Sequence, residues 1–121
     1  MGSDHPPFGS ICHIEIPAPD LAKAKSFYQS VFGWTMEDIP EMPYVMFSSG
    51  TVGGGFDPAL EVVDKGVNVI IEVADIPSKL VEISEAGGGI EQEKTEIAGG
   101  FGFYAVFKDP NGNRLSIHSA E

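Results

Sequence analysis

Strand alternation gives one histidine in the patterned part of the chain a carboxylate neighbour and sets a second on a polar strand face. In His13-Ile-Glu15 the imidazole and the carboxylate are two residues apart and share one strand face. In Arg114-Leu-Ser-Ile-His118 the guanidinium, the Ser116 hydroxyl and the imidazole alternate onto one face, as Asn68 and Glu72 do in an earlier strand. An imidazole beside a carboxylate titrates near neutral pH, which suits acid–base work by His13, Glu15, Glu72 and His118. The same side chains are ligands for divalent ions, so His13 and His118 with Glu15 or Glu72 make a second option. The third is a polar face that hydrogen-bonds a small molecule or water and performs no chemistry, the default for such groups.

Other chemistries find little support. Gly53-Gly-Gly55 lacks the following Lys-Ser/Thr and the strand-to-helix context of a phosphate loop. Neither a Gly-x-Ser-x-Gly elbow nor a Cys-x-x-Cys pair is present. Cys12 alternates away from His13, and packing in the first strand is its expected role. Tyr44, Phe56 and Phe101 adjoin glycine-rich segments, which makes them candidates for stacking on a ligand, against core packing as the default for strand aromatics.

The elements that must carry these residues follow from periodicity. Ile11 to Ile16 alternates as a strand, ended by Pro17 and Pro19. Asp20 caps a helix whose apolar side is Leu21, Ala24, Phe27, Tyr28, Val31 and Phe32, and Gly33 stops it. Trp34 to Asp38, Tyr44 to Ser48 and Thr51 to Asp57 read as strands, the third weakened by its glycine run. The pattern then repeats. Val67 to Val73 is a strand, Asp75 caps a helix with Pro77 in its first turn, and Gly87-Gly-Gly89 stops it. Ile90 to Glu93, Phe101 to Lys108 and Arg114 to Ser119 are the remaining strands, with Asp109-Pro-Asn-Gly112 as a turn.

Strand, helix and three strands, twice over, predict an α+β domain spanning 11–121, built of two βαβββ modules at 11–58 and 66–119. Residues 1–10 carry no periodicity and read as a disordered tail. One such module leaves a sheet face bare, so the helices are expected on one side of the sheets and a cleft where the other sides curl together.

With 121 residues the chain suits one domain. Seven Lys and Arg against 18 Asp and Glu give a net charge of −11, which disfavours nucleic acid and anionic membrane as partners. Its plain consequence is solubility; a sharper one is an acidic pocket rim that draws cationic ligands. The apolar runs fall short of the roughly 18 residues that span a bilayer. One cysteine and no secretory pattern fit a reducing, cytoplasmic location.

Asp20-Leu-Ala-Lys-Ala-Lys-Ser-Phe-Tyr-Gln-Ser-Val-Phe-Gly-Trp34, Asp75-Ile76 after Ile71-Glu-Val73, and Asp109-Pro-Asn-Gly-Asn113 before a last strand together resemble the vicinal-oxygen-chelate superfamily. That superfamily includes glyoxalase I, bleomycin- and fosfomycin-resistance proteins and extradiol dioxygenases. The resemblance runs from about Ile11 to His118. His13-Ile-Glu-Ile-Pro17, Gly53-Gly-Gly-Phe56 and Gly100-Phe-Gly-Phe-Tyr104 look like its short glyoxalase-related branch. The resemblance implies a divalent metal held by first and last strands of each module, acting as a Lewis acid or activating oxygen at iron. It places His13 at the first ligand position, Asn68 where a histidine is usual, and Ser116 where a glutamate is usual. The remaining position falls near Gly53 to Phe56, with no carboxylate or imidazole, so only His13 is filled. An amide and a hydroxyl are poor ligands for Zn²⁺ or Fe²⁺.

The expectation is therefore a glyoxalase/bleomycin-resistance-like protein with a degenerate metal site. It binds a small oxygen-rich molecule through Asn68, Ser116, Arg114, Tyr44, Phe56 and Phe101, and any turnover is of lyase or isomerase type. Lactoylglutathione lyase and extradiol dioxygenase activity are not expected. The alternative is a sequestering protein of the bleomycin-resistance type. No cofactor is firmly implied. A homodimer is expected, each cleft bordered by the other chain, because the resemblance implies short members that pair modules within a chain or between chains, and open sheet edges need cover.

Overall fold

The computed structural model describes residues 6–62 and 65–121. Of the stretch expected as a tail, residues 1–5 lie outside the described residues; residues 6–10 are exposed, with a turn closed by the Ser10 N–H on the Pro7 carbonyl at 3.0 Å.

The elements run β1 (Ile14–Pro17), α1 (Leu21–Phe32), β2 (Thr35–Asp38), β3 (Val45–Ser48), β4 (Gly53–Asp57), β5 (Ile70–Glu72), α2 (Ile76–Glu85), β6 (Gly89–Glu96), β7 (Phe103–Lys108) and β8 (Arg114–Ser119). They form two four-stranded sheets of the same order, β1-β4-β3-β2 and β5-β8-β7-β6. In each the first strand runs parallel to the last and the other pairs are antiparallel. The repeated strand–helix–three-strand order of the sequence is thus repeated in topology, an α+β fold of two mixed sheets.

Local chemistry explains the helix ends. The Asp20 side chain accepts from the Lys23 N–H at 3.0 Å, and Gly33 closes α1 in the left-handed region at φ 71°, its N–H on the Gln29 carbonyl. At α2 the expected cap differs: Asp75 holds the extended cap backbone, but its side chain makes no cap bond. Pro77, two residues on, has no N–H to donate, which removes one of the two usual partners of a cap carboxylate.

The core lies between the helices and the sheets. Ala24, Phe27, Tyr28 and Val31 of α1 are buried, and the Tyr28, Trp34 and Phe47 rings stack at successive centroid distances of 4.6 Å. Phe56, expected as a possible stacking surface for a ligand, is fully buried against Tyr28 and Phe47, because alternation in β4 sends it to the helix side. Cys12 also departs from expectation: β1 begins two residues later, so the thiol is exposed rather than packed.

A buried polar tie joins the two repeats. Asp109, 4 % exposed, accepts from the Tyr28 hydroxyl at 2.8 Å, from the Asn111 and Asn113 backbone N–H groups at 2.9 Å, and from Asn113 Nδ2. Asn113 Nδ2 also donates to the Pro17 carbonyl at 2.6 Å, and the Asn111 side chain bonds both backbone groups of Asp20. The Asp109-Pro-Asn-Gly-Asn113 turn therefore clamps the second repeat onto the corner between β1 and α1. Burial, then Asp109, pushes the Tyr28 phenol well above its ordinary pKa, so it stays a donor.

The glycine run in β4 does not weaken the strand, which pairs on both sides. A side chain at Gly54 would collide with the Ile14 carbonyl, and one at Gly55 with the Tyr44 phenol. These glycines let backbone and ring approach β4 closely.

Candidate functional site

Alternation divides each sheet into a core face and an open face. On β8, Leu115 and Ile117 are buried in the core while Arg114, Ser116 and His118 take the other side. Two polar clusters form on the open faces, one per sheet.

The first is built on β1 and the start of β3. The Tyr44 hydroxyl lies 2.8 Å from Glu15 Oε2 and 2.7 Å from His13 Nε2. A carboxylate can only accept, so the phenol donates to Glu15 and the His13 Nε2–H donates to the phenol oxygen. This leaves His13 Nδ1 with its lone pair toward solvent. Burial, the Glu15 hydrogen bond and the charges of Glu15 and Asp57 push the Tyr44 phenol up to about 12, so it keeps its proton. The parity argument paired His13 with Glu15; the phenol between them, from the far side of the sheet, was anticipated only as a stacking ring.

The second cluster lies on β5 and β8. His118 Nδ1 is 2.6 Å from Glu72 Oε1 and Nε2 is 2.7 Å from the Phe101 carbonyl oxygen. Both partners are acceptors, so both ring nitrogens donate and the ring is an imidazolium. The Phe101 carbonyl and then Glu72 raise its pKa, against a smaller opposing effect of desolvation. In that doubly protonated form His118 has no lone pair to offer. Gly102, left-handed at φ 92°, packs so tightly against the His118 ring and the Ser119 carbonyl that a side chain would clash. Phe101, expected to start a strand, lies instead in the loop before β7; the residue is 70 % exposed, and its carbonyl makes the contact.

Beside His118 is a cavity of about 230 Å³ whose polar lining is Asn68, Gln92, Tyr104, Arg114, Ser116 and His118. Ser116 Oγ donates to Asn68 Oδ1 at 3.3 Å, so these two positions are brought together across β5 and β8. Gln92 Nε2 donates to the Tyr104 hydroxyl at 2.8 Å and to Thr95 Oγ1 at 3.0 Å. Gln92 did not stand out in the sequence, since β6 is rich in Glu, Gln and Lys and shows no apolar alternation, and Tyr104 was noted only within Gly100-Phe-Gly-Phe-Tyr104. The acidic pocket rim expected from net charge is not found here: the lining holds no Asp or Glu and carries Arg114 and His118.

Of the residues expected in one polar cleft, His13 and Glu15 share a hydrogen-bonded cluster at the first sheet, and Asn68 with Ser116 and Glu72 with His118 are joined at the second. Among the described residues no three His, Cys, Asp or Glu side chains are placed to hold a metal ion, so His13 and His118 with Glu15 or Glu72 do not form the rearranged metal site. The donor chemistry agrees. His118 is closed at both nitrogens, and Asn68 and Ser116 bond each other. A divalent ion does not fit among them. Among the described residues His13 alone, through Nδ1, offers an imidazole lone pair.

Residues 10–50 match the family described as bleomycin resistance protein-like N-terminal. A glyoxylase-like domain-containing protein of Didymella fabae is 27 % identical over 118 residues, covering 90 % of this chain and 92 % of that protein. A probable lactoylglutathione lyase of Vibrio parahaemolyticus is 26 % identical over 123 residues, covering 90 % and 89 %. Solved structures share the fold. A glyoxalase/bleomycin resistance protein/dioxygenase family enzyme from Burkholderia phytofirmans has a TM-score of 0.77 at 18 % identity, covering 90 % of this chain and 97 % of that one. A mutant fosfomycin resistance protein from Listeria monocytogenes, complexed with Mn(II) and 1S,2S-dihydroxypropylphosphonic acid, has a TM-score of 0.76 at 13 % identity, covering 92 % of each chain. Among the described residues no helix is long and apolar enough to cross a membrane.

Proposed function

We propose that this chain, whose family match, full-length relatives and fold support the vicinal-oxygen-chelate superfamily, binds a small oxygen-rich molecule in the cavity over its second sheet. The observation that carries the reading is the lining itself. Asn68, Gln92, Tyr104, Arg114 and Ser116 converge on one small space in a protein with few buried polar groups. A few fixed polar groups in a concave site are what orient a small ligand. The Listeria fosfomycin resistance protein, a neighbour in fold, is complexed with such a molecule, a dihydroxypropylphosphonic acid, together with Mn(II).

The functional unit in this reading is a homodimer. The His13–Tyr44–Glu15 cluster and the cavity lie on different sheets of one chain, and a second copy brings one against the other. Ile70 and Phe101, 59 % and 70 % exposed near the cavity, are apolar surface that such a pairing covers. A stable pairing buries on the order of 1,200–2,000 Å². Light scattering at micromolar concentration should give the mass of two chains; the mass of one would remove the dimer.

Turnover, where it occurs, is a proton transfer of lyase or isomerase type. His13 is its base, because Nδ1 is the one ring nitrogen of the two clusters left open, and Tyr44 with Glu15 fixes the tautomer. Sequestration without turnover is the second reading, favoured by the cavity's own histidine being closed at both nitrogens. Backbone NMR with a panel of small hydroxycarbonyls and hydroxy acids tests the common claim. Saturable shifts clustered at Asn68, Gln92, Tyr104 and Ser116 are expected; shifts confined to the first sheet, or none, would contradict it.

A further inference from the structure

We propose that the cavity over the second sheet is an oxyanion site: it takes a carboxylate, phosphate or phosphonate group directly, without a metal ion, on Arg114, the Asn68 amide and the Tyr104 hydroxyl. This deepens the binding reading above and rests on it. The argument is an inventory of protons and lone pairs. Ser116 Oγ donates to Asn68 Oδ1, which turns the Asn68 NH₂ outward as a donor. Gln92 Nε2 donates to the Tyr104 oxygen, which leaves the phenol proton free to donate. Arg114 has no ion pair among the described residues and presents a planar fork of N–H groups, suited to bidentate pairing with an oxyanion. Asn68 Oδ1 and the Tyr104 oxygen thus each accept a hydrogen bond, while the Asn68 amide, the Tyr104 proton and the Arg114 guanidinium are left to donate; the His118 N–H groups are already given to Glu72 and Phe101.

Charge points the same way. In a chain of net charge −11, the cavity lining contains no carboxylate and holds Arg114 and His118. Glu72, on the same face of β5, is committed to His118 at 2.6 Å. Lys108 alternates onto the open face of β7 with Tyr104. Cations are thus gathered where the rest of the surface is acidic. A divalent ion here would meet a guanidinium, an imidazolium and donors; an oxyanion meets complementary partners throughout.

The test titrates the full chain, freed of metal by EDTA, with inorganic phosphate, methylphosphonate and acetate, reading backbone NMR shifts, with hydroxyacetone as a neutral comparison. The expected result is saturable binding of at least one anion at the cavity residues in EDTA. Comparing phosphate and methylphosphonate with acetate distinguishes a phosphoryl from a carboxylate site. Arg114→Gln should weaken it about tenfold or more, with partial recovery in Arg114→Lys. Arg114 is exposed, so both variants should fold, and an unchanged spectrum away from the cavity confirms that. Binding that appears only with added Mn²⁺ or Zn²⁺, or that survives Arg114→Gln unchanged, overturns the proposal. Shifts with hydroxyacetone but with no anion overturn it while sparing the binding reading; shifts with none of the four overturn both.

Discussion

The carbonyl of Phe101 accepts from His118 Nε2 at 2.7 Å, which ties the loop between β6 and β7 to the last strand and holds the ring in its charged form with Glu72 at the other nitrogen. Because the pKa of His118 is raised on folding, its contribution to stability is fully present below the unfolded-state value near 6.5 and is lost as pH rises through the higher folded value. Ring proton NMR should place the His118 midpoint above 6.5, and thermal stability should decline over the same interval above it. In His118→Gln that decline should be smaller. A midpoint at or below 6.5 would show that the ring is not held as an imidazolium.

The tautomer of His13 depends on a glycine. Any side chain at Gly55 collides with the Tyr44 phenol, so Gly55→Ala should move that ring off Glu15 and His13. Spectrophotometric titration should then show the Tyr44 ionisation falling from about 12 toward the ordinary 10.0. Tyr44→Phe should free the His13 ring to exchange tautomers, visible in its ¹⁵N shifts. An unchanged ¹⁵N pattern in that variant would remove Tyr44 from the positioning of His13.

Tyr28 and Asp109 test the join between the repeats. Tyr28→Phe deletes one donor to a buried carboxylate and should cost about 1.5–3 kcal/mol, read from urea unfolding. A cost within a few tenths of a kcal/mol would mean that Asp109 finds another partner.

The ligand positions predict both an absence and a gain. Zn²⁺- or Ni²⁺-dependent turnover of the methylglyoxal–glutathione adduct should stay at background, because the resemblance puts Asn68 and Ser116, an amide and a hydroxyl, at its ligand positions. Asn68→His combined with Ser116→Glu should install metal binding, since the two side chains already meet across β5 and β8. Robust turnover by the parent chain, or no gain of metal affinity in the double variant, would count against this positional alignment.

Much of the fold was legible because its signals are local. Asp20 and Gly33 bracket α1 at Leu21–Phe32, and Arg114–Ser119 forms a strand where alternation placed it. β6, at Gly89–Glu96, is longer than the apolar pattern suggested, since a strand with two register shifts against β7 does not keep a two-residue period. At the site, parity found Glu15 beside His13 and put Glu72 and His118 on the polar faces of their own strands, without pairing them. It could not find the phenol of Tyr44 between the first pair, because that contact spans 29 residues to Glu15. Nor could it find the Phe101 carbonyl, since a backbone acceptor leaves no mark on residue type. Phe56 misled because a neighbouring glycine run suggests access, whereas strand direction decided burial.

A crystal structure with glycolate, which carries a hydroxyl and a carboxylate on two carbons, tests the central claim most directly. The account predicts the ligand over the second sheet, its carboxylate on Arg114 and within hydrogen-bond reach of Asn68 and Tyr104. At saturating glycolate and, in a parallel crystal, saturating methylphosphonate, a cavity empty of both, or ligands bound only elsewhere, would contradict it.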